Sequence, residues 1–425
     1  MMTTNASPTV RETTKRLSAD AWWILIARIL RSAAYGALAT VLSIHLERIG
    51  LEAVEVGAVL TSALVGSLAA NIIWSLTADR FGRRRTVVVM ALVMAVSGFI
   101  FAITNEVWLL VITAFAGTIS ATASEVGPFQ SIDQAILPQV VSPAHRTWAF
   151  SIYNMAAYIA AAIGSLLAGF AGSSMLPGIL GDGLQIVFVA YGLAGVANAL
   201  LFGILSPAVE LSRVDGASRY IGLERSKAVV FKLSALFAID AFAGGLVVQS
   251  VVAYWFHLRW DLDLVSLGSV FFAVNLVAGL SMLLAPVLAE RIGLLNTMVW
   301  THIPSNIMLM LVPLAPSVEI AIALFVGRML VSQMDVPARQ SYMMAIVDPA
   351  ERVPAAGITN VARAAASAIS PVISTAAFAS ASLGLPFVVA GLMKIGYDLI
   401  IWQTFRNIRP KEEIERLERR RANKR

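Results

Sequence analysis

Asp79-Arg80-Phe81-Gly82-Arg83-Arg84-Arg85 lies between two long apolar stretches, 54–78 and 86–104. A shorter echo, Glu290-Arg291-Ile292-Gly293, sits half a chain later between 266–289 and 294–314. In each case one apolar stretch ends and the next begins across a compact charged turn. Runs of about 20 apolar residues are long enough to cross a ~30 Å hydrocarbon core as helices. A charged turn between two such runs, met twice, predicts a duplicated membrane bundle.

Composition agrees with that reading. Of 425 residues, 58% are hydrophobic and 14% charged, and mean hydropathy is +0.77. A soluble domain carries about 25% charged residues. Backbone in lipid must satisfy its own hydrogen bonds, so only helices or closed barrels span. These runs are too long and too continuously apolar for barrel strands. The net charge of +6 does not point to nucleic acid, because the basic residues gather in short loops and at the C-terminus. With no cysteine, disulfides and thiolate metal sites are excluded. The N-terminal stretch through Lys15-Arg16 is polar and lacks a signal-peptide core, so the first apolar run is expected to be the first span.

Twelve spans are expected near 21–45, 54–78, 86–104, 107–138, 147–171, 184–206, 229–256, 266–289, 294–314, 317–346, 353–379 and 386–405. The chain then divides into a tail 1–20, a six-helix half 21–206, a polar linker 207–228, a second six-helix half 229–405 and a tail 406–425. Basic residues on one side include Arg80, Arg83, Arg84, Arg85, Arg146, Arg225, Arg291 and Arg352, and the opposite loops hold only Arg48 and Arg259. The positive-inside rule places both termini in the cytoplasm, in the inner or plasma membrane.

The duplication can be traced residue by residue. Val140–Arg146 aligns with Ile346–Arg352 at an offset of 206, which also pairs Asn154 with Asn360 and Gln134 with Gln340. Arg31 falls on Asp240, and Gly36 on Gly245, at an offset of 209. Equivalent loops lie on the same side, so the halves are parallel repeats.

Twelve spans in two parallel halves, with this turn after the second, resemble the major facilitator superfamily. Its loop signature is Gly-x-x-x-Asp-Arg/Lys-x-Gly-Arg-Arg/Lys. Here Ser75 takes the first glycine's place, followed by Asp79, Arg80, Gly82, Arg83 and Arg84. The second copy is degenerate, with Pro286, then Glu290, Arg291 and Gly293. The resemblance implies an all-α fold, no catalytic residues and a conformational latch at this loop, with the central cavity lined by spans 1, 4, 7 and 10. The region Ala161–Gly169 lacks the proline of the drug-antiporter motif in span 5. Span 4 also lacks the arginine typical of those exporters.

Ionisable residues inside spans carry a functional expectation. Arg31 and Asp240 lie about 15 Å deep at 1.5 Å per residue. They are candidate cavity charges, free to pair with each other or with substrate. Arg28, one turn nearer the cytoplasm, is expected to snorkel outward. Glu125 and Asp335, each near a proline, are candidate proton carriers or else structural carboxylates. Asp133 and Arg339 align at an offset of 206 near the cytoplasmic ends and read as a gate or a bridge between helices. Arg363, Asn154 and Asn360 complete the candidates. Lys394 and Asp398, spaced i and i+4, are expected to pair with each other. His302 is expected to be structural.

No nucleophile elbow, metal-ligand spacing or phosphate loop is present. Neither cofactor, metal nor nucleic acid is expected, and the chain does not read as an enzyme. The expected function is secondary transport of a small polar solute by alternating access, with proton coupling. Lipid is the surroundings, and a single chain can enclose its own pathway. An uncoupled facilitator, or a transporter-like sensor, is the alternative.

Overall fold

The computed structural model describes residues 19–116, 118–123, 129, 133, 146–173, 183–210, 223–348 and 351–408. Side chains at 75, 76, 78–80, 146–151, 208 and 352–354 lie outside that description. So do Glu125, Gln134 and the tails beyond these limits, along with the side chains of Ser75, Asp79 and Arg80.

The described residues are helical and contain no strand. Span 1 is Ala19–Arg48, span 2 Ala53–Phe81 and span 3 Arg83–Ile103. Span 4 begins at Val107–Phe115, with Phe129 and Asp133 further along it also helical. Spans 5 and 6 are Arg146–Gly172 and Gly183–Gly203. Span 7 is broken into Lys227–Gly245 and Gln249–Trp260, and span 8 into Leu264–Ser281 and Ala285–Ile292. Span 9 is Leu294–Leu311. Span 10 runs in three pieces, Val318–Gly327, Met329–Ser332 and Asp335–Ile346. Span 11 is Arg352–Ala368 and Ser370–Ala379, and span 12 is Leu385–Phe405. Among the described residues, ten helical segments are long and apolar enough to cross a membrane. Span 9 is not one of them, because its 18 residues include Asn296, Thr297, Thr301, His302 and Asn306.

Pairing follows the duplication. Span 1 packs on span 5 and span 7 on span 11, while span 3 packs on span 6 and span 9 on span 12. Between halves, span 5 meets span 8 and span 11 meets span 2. Lipid tails are as apolar as leucine, so helices associate through close packing of small residues. Gly36 faces the backbone of Ala161, and its repeat partner Gly245 lies where an added Cβ would meet Ser367 O at 2.6 Å. One duplicated glycine therefore lets spans 1 and 7 approach spans 5 and 11.

The two charged turns need glycine for a separate reason. Gly82 has φ 102° and Gly293 has φ 90°, a region that side-chain-bearing residues rarely enter. Each lets one helix stop and the next start without a loop. The backbone N–H groups of Arg83 and Arg84 donate to the Glu210 carboxylate at 2.8 and 3.1 Å, so the start of the linker is pinned to span 3. Glu351 does the same for span 7, accepting from Glu224, Arg225 and Ser226 at 2.7, 2.9 and 2.8 Å. A carboxylate at an N-terminus satisfies orphan N–H groups and complements the helix dipole. The Glu224 N–H, with those of Arg225 and Ser226, holds the Glu351 carboxyl down at about 2.

The apolar cores show how the halves meet. At the end of the bundle away from the termini, one continuous core joins both halves, including Leu42, Val59, Phe188, Trp255, Phe271 and Phe387. At the other end each half has its own core, one around Ile24, Phe129 and Phe202 and the other around Phe237, Tyr342 and Phe405.

Candidate functional site

The first charge cluster belongs to the N-terminal half. Arg31 Nη2 donates to Asp133 Oδ2 at 2.5 Å, and both side chains are 0% exposed. Arg31 Nη1 donates to Asn198 at 3.1 Å, and Tyr153 Oη to Asp133 Oδ2 at 3.0 Å. The guanidinium lies over the rings of Phe129 and Phe202, at 4.6 and 5.1 Å from their centroids. A buried ion pair persists only with good geometry and further hydrogen bonds. Here the pair is enclosed by ring faces and an amide, away from water. Arg28 is buried as well, 4.7 Å from the Tyr153 centroid. It does not snorkel outward, because that ring covers it on the inner face of span 1.

The second cluster is the repeat image of the first with its charges exchanged. Asp240 stands where Arg31 stands, and Arg339 where Asp133 stands. Arg339 Nη1 bridges Asp240 Oδ2 and Asp335 Oδ2, both at 3.0 Å. Asp240 Oδ2 also accepts from Arg363 Nη1 at 3.0 Å, and Oδ1 from Lys394 Nζ at 2.6 Å. His302 Nε2 lies 4.0 Å from Asp240 Oδ1, while its Nδ1 is 3.0 Å from Asp398 Oδ1. One carboxylate thus gathers spans 10, 11 and 12.

This cluster opens onto a cavity of about 500 Å³ between the halves. Asp240, Asp335, Arg339, Arg363, Lys394 and His302 line it with Gln333, Asn360, Ser332 and Ser367, while Leu64 and Thr122 come from the other half. The break in span 7 forms part of its wall through Gly244, Gly245 and Val248. Broken backbone at membrane depth must find partners in protein. Ser250 N–H donates to Ala121 O at 3.1 Å. Ser43 Oγ donates to Ser250 O, and Ser250 Oγ to Ala39 O, at 2.7 and 2.9 Å. The N–H freed at Ser250, with that residue's carbonyl and hydroxyl, therefore ties the two halves together. Span 10 breaks just before Asp335 for a related reason. Pro337 has no N–H to give the Gln333 carbonyl, and its ring crowds that position.

Several expectations are corrected by these contacts. Arg31 and Asp240 do not pair with each other, because each finds its partner within its own half. Asp133 and Arg339 form no bridge to each other, since span 1 holds the first and Asp240 and Asp335 the second. Lys394 bonds Asp240 and not Asp398, as their shared helix face looks into the C-terminal half. Asn360 lines the cavity, whereas its repeat partner Asn154 is half-buried on span 5 and is not among the cavity's lining residues. Sequence reasoning gave Lys394 and His302 structural roles. A lysine in the middle of an apolar run was the available signal, and its neighbour Asp398 obscured it.

The comparisons with known proteins agree with this architecture. The family description Major Facilitator Superfamily matches residues 24–371. An uncharacterized membrane protein of Saccharomyces cerevisiae, YJR124C, is 25% identical over 409 residues, covering 88% of this chain and 91% of that one. Among solved structures, the nucleoside transporter NupG superposes with TM-score 0.70 at 14% identity, covering 91% of this chain and 99% of that one. A bacterial homolog to the human lysosomal transporter Spinster, inward-facing and occupied, gives 0.73 at 16% identity, covering 92% and 97%. The xylose transporter XylE from E. coli, inward open, gives 0.69 at 16% identity, covering 90% and 95%. With the duplicated turn, the parallel halves and a charged cavity between them, this chain is a membrane protein of the Major Facilitator Superfamily.

Proposed function

We propose that the chain is a proton-coupled secondary transporter that moves a small polar solute across the cytoplasmic membrane by alternating access. The observation that carries the reading is the asymmetry of the cores: fused at one end, separate at the other, with the charged cavity between. Taking the termini as cytoplasmic from the arginine bias, this is an inward-open arrangement. Rocking of the halves would exchange the fused core for contacts at the cytoplasmic end. Ionisable residues inside spans mark proton relays and substrate paths. Asp240 is the candidate proton carrier, with Asp335 beside it. Glu125 keeps its candidate role from sequence, and the loop at Asp79 that of latch. One chain encloses the cavity.

The test is reconstitution into liposomes containing a pH-sensitive dye. External solutes are added singly from a panel of sugars, amino acids, nucleosides and organic acids. A coupled transporter moves protons with at least one of them, and Asp240→Asn abolishes that movement. Solute flux indifferent to the pH gradient and to Asp240→Asn makes the chain an uncoupled facilitator. Binding without any flux makes it a sensor.

A further inference from the structure

We infer that the solute is a small organic monoanion, a carboxylate on a polar body, which replaces the Asp240 carboxylate between Lys394 and Arg363 once Asp240 takes up a proton. This rests on the transport reading above and adds the substrate's class. The three cations of the cluster differ in the partners they keep. Arg339 has two carboxylates, so it retains Asp335 when Asp240 is neutralised. For Arg363 and Lys394, Asp240 is the only carboxylate within ion-pair distance among the described residues. Both are shielded, with side chains 27% and 10% exposed. Neutral Asp240 leaves two cations facing the cavity without a paired carboxylate among the described residues, a costly state until an anion arrives.

The present geometry shows the shape they accept. A planar carboxylate takes Lys394 on one oxygen at 2.6 Å and Arg363 on the other at 3.0 Å. A free carboxylate can present the same two oxygens from the cavity side, with charge-assisted hydrogen bonds to both. The other groups facing Asp240 do not supply that charge. His302 on span 9 engages Asp398, and Tyr397 on span 12 sits edge-on to His302 at 6.3 Å. The remaining polar lining is amide and hydroxyl, from Gln333, Asn360, Ser332, Ser367 and Thr122. No Phe, Tyr or Trp is among the described lining residues, so that part of the wall offers no aromatic platform for a nucleobase or a sugar ring. A cavity of about 500 Å³ lies within the ordinary range for small ligands. A cationic solute would meet three cations against two engaged carboxylates.

The site is also more than an inheritance of the duplication. The residue 206 positions before Arg363 is Ala157, so the N-terminal half has no such cation, and its own pair is sealed. The proton step is an O–H bond formed on the Asp240 carboxylate by a proton from cavity water. The proton is released to water when the anion leaves and Asp240 recaptures Lys394 and Arg363. One proton and one monoanion cross together, and no net charge moves.

The experiment is ligand-induced thermal stabilisation of the full chain in detergent. The probes are lactate, gluconate and glucuronate, with glucose and choline as neutral and cationic controls, at pH 5.5 and 7.5. At least one carboxylate is expected to stabilise, binding tenfold or more tighter at pH 5.5, with no effect of the controls. Asp240→Asn should bind that carboxylate at the acid-form affinity at both pH values, and Lys394→Met tenfold or more weaker. Stabilisation by glucose or choline alone, by none of the carboxylates, or by carboxylates equally at both pH values overturns the proposal. The wild-type pH comparison decides even where Asp240→Asn does not fold. In liposomes, expected carboxylate flux responds to a pH gradient and not to a potassium–valinomycin potential. Proton-coupled flux of glucose or choline overturns the anion class and leaves the transport reading standing. Carboxylate binding with the expected pH dependence but no flux of any solute overturns transport and leaves the anion site.

Discussion

Removing one charge of the sealed Arg31–Asp133 pair should be costly, and unequally so from its two sides. At 2.5 Å and an effective dielectric of 20, the gross attraction is about 7 kcal/mol. Desolvating the two ions costs several kcal/mol each and offsets most of that. The measurable quantity is therefore the penalty of leaving the survivor alone. In Asp133→Asn the guanidinium keeps an amide oxygen, Asn198 and the faces of Phe129 and Phe202. The expected loss is about 3 kcal/mol, the lower end for a broken buried pair. In Arg31→Met the carboxylate keeps, among the described residues, only the Tyr153 hydroxyl on Oδ2, and Oδ1 already lacks a partner there. The expected loss is about 5 kcal/mol. Arg31→Met with Asp133→Leu removes both charges and should cost less than about 2 kcal/mol, a coupling well beyond additivity. The assay is thermal unfolding in detergent by tryptophan fluorescence, at one heating rate because unfolding of such proteins is commonly irreversible. Losses in the reverse order, or a double variant equal to the sum of the singles, would refute the account.

Three further outcomes follow from local geometry. Gly268 meets span 5 so closely that a Cβ would lie 2.8 Å from Ser165 O and 2.9 Å from Gly169 Cα. Gly268→Leu should hold the halves apart at that end, read as increased thiol labelling of Thr40→Cys in a chain with no native cysteine. Unchanged labelling would count against the seam. Gly82→Ala should cost about 1–3 kcal/mol because of its positive φ, while Gly203→Ala, with nothing within 4 Å of the added Cβ, should be near neutral by the same melting assay. The Glu351 carboxyl titrates at about 2 when folded against 4.5 for the free group. Its contribution is thus complete above pH 4.5 and is lost as pH falls toward 2. Melting temperatures of wild type and Glu351→Gln should differ at neutral pH and converge across that window, and a constant difference down to pH 2 would contradict the cap.

Much of this architecture was legible before any coordinates. Apolar length and the recurring turn at Gly82 and Gly293 carry the class, because a bilayer permits few solutions and a helix-to-helix corner this tight requires glycine. The offset linking Gly36 to Gly245 likewise survives as a packing rule. The pairing of charges was not legible. Repeat alignment identified which residues are equivalent, and it suggested partners across the halves, Arg31 with Asp240 and Asp133 with Arg339. Equivalence in a duplicated fold says that two residues occupy matching places, not that they touch. Lys394 shows a second limit. Spacing along one helix made Asp398 its obvious partner, yet the side chain reaches span 7.

The sequence by itself determined a duplicated helical membrane bundle, its side of basic loops and the set of charges buried within it. Those properties follow from hydrophobicity and period, which are local along the chain. Which charge meets which was decided only by tertiary packing, as were the sealed pair of one half and the open carboxylate hub of the other. Partnership between spans depends on the rotation and depth of each helix. Those are set by close contacts such as Gly36 on Ala161 and Gly245 on span 11, and no single helix's sequence contains them.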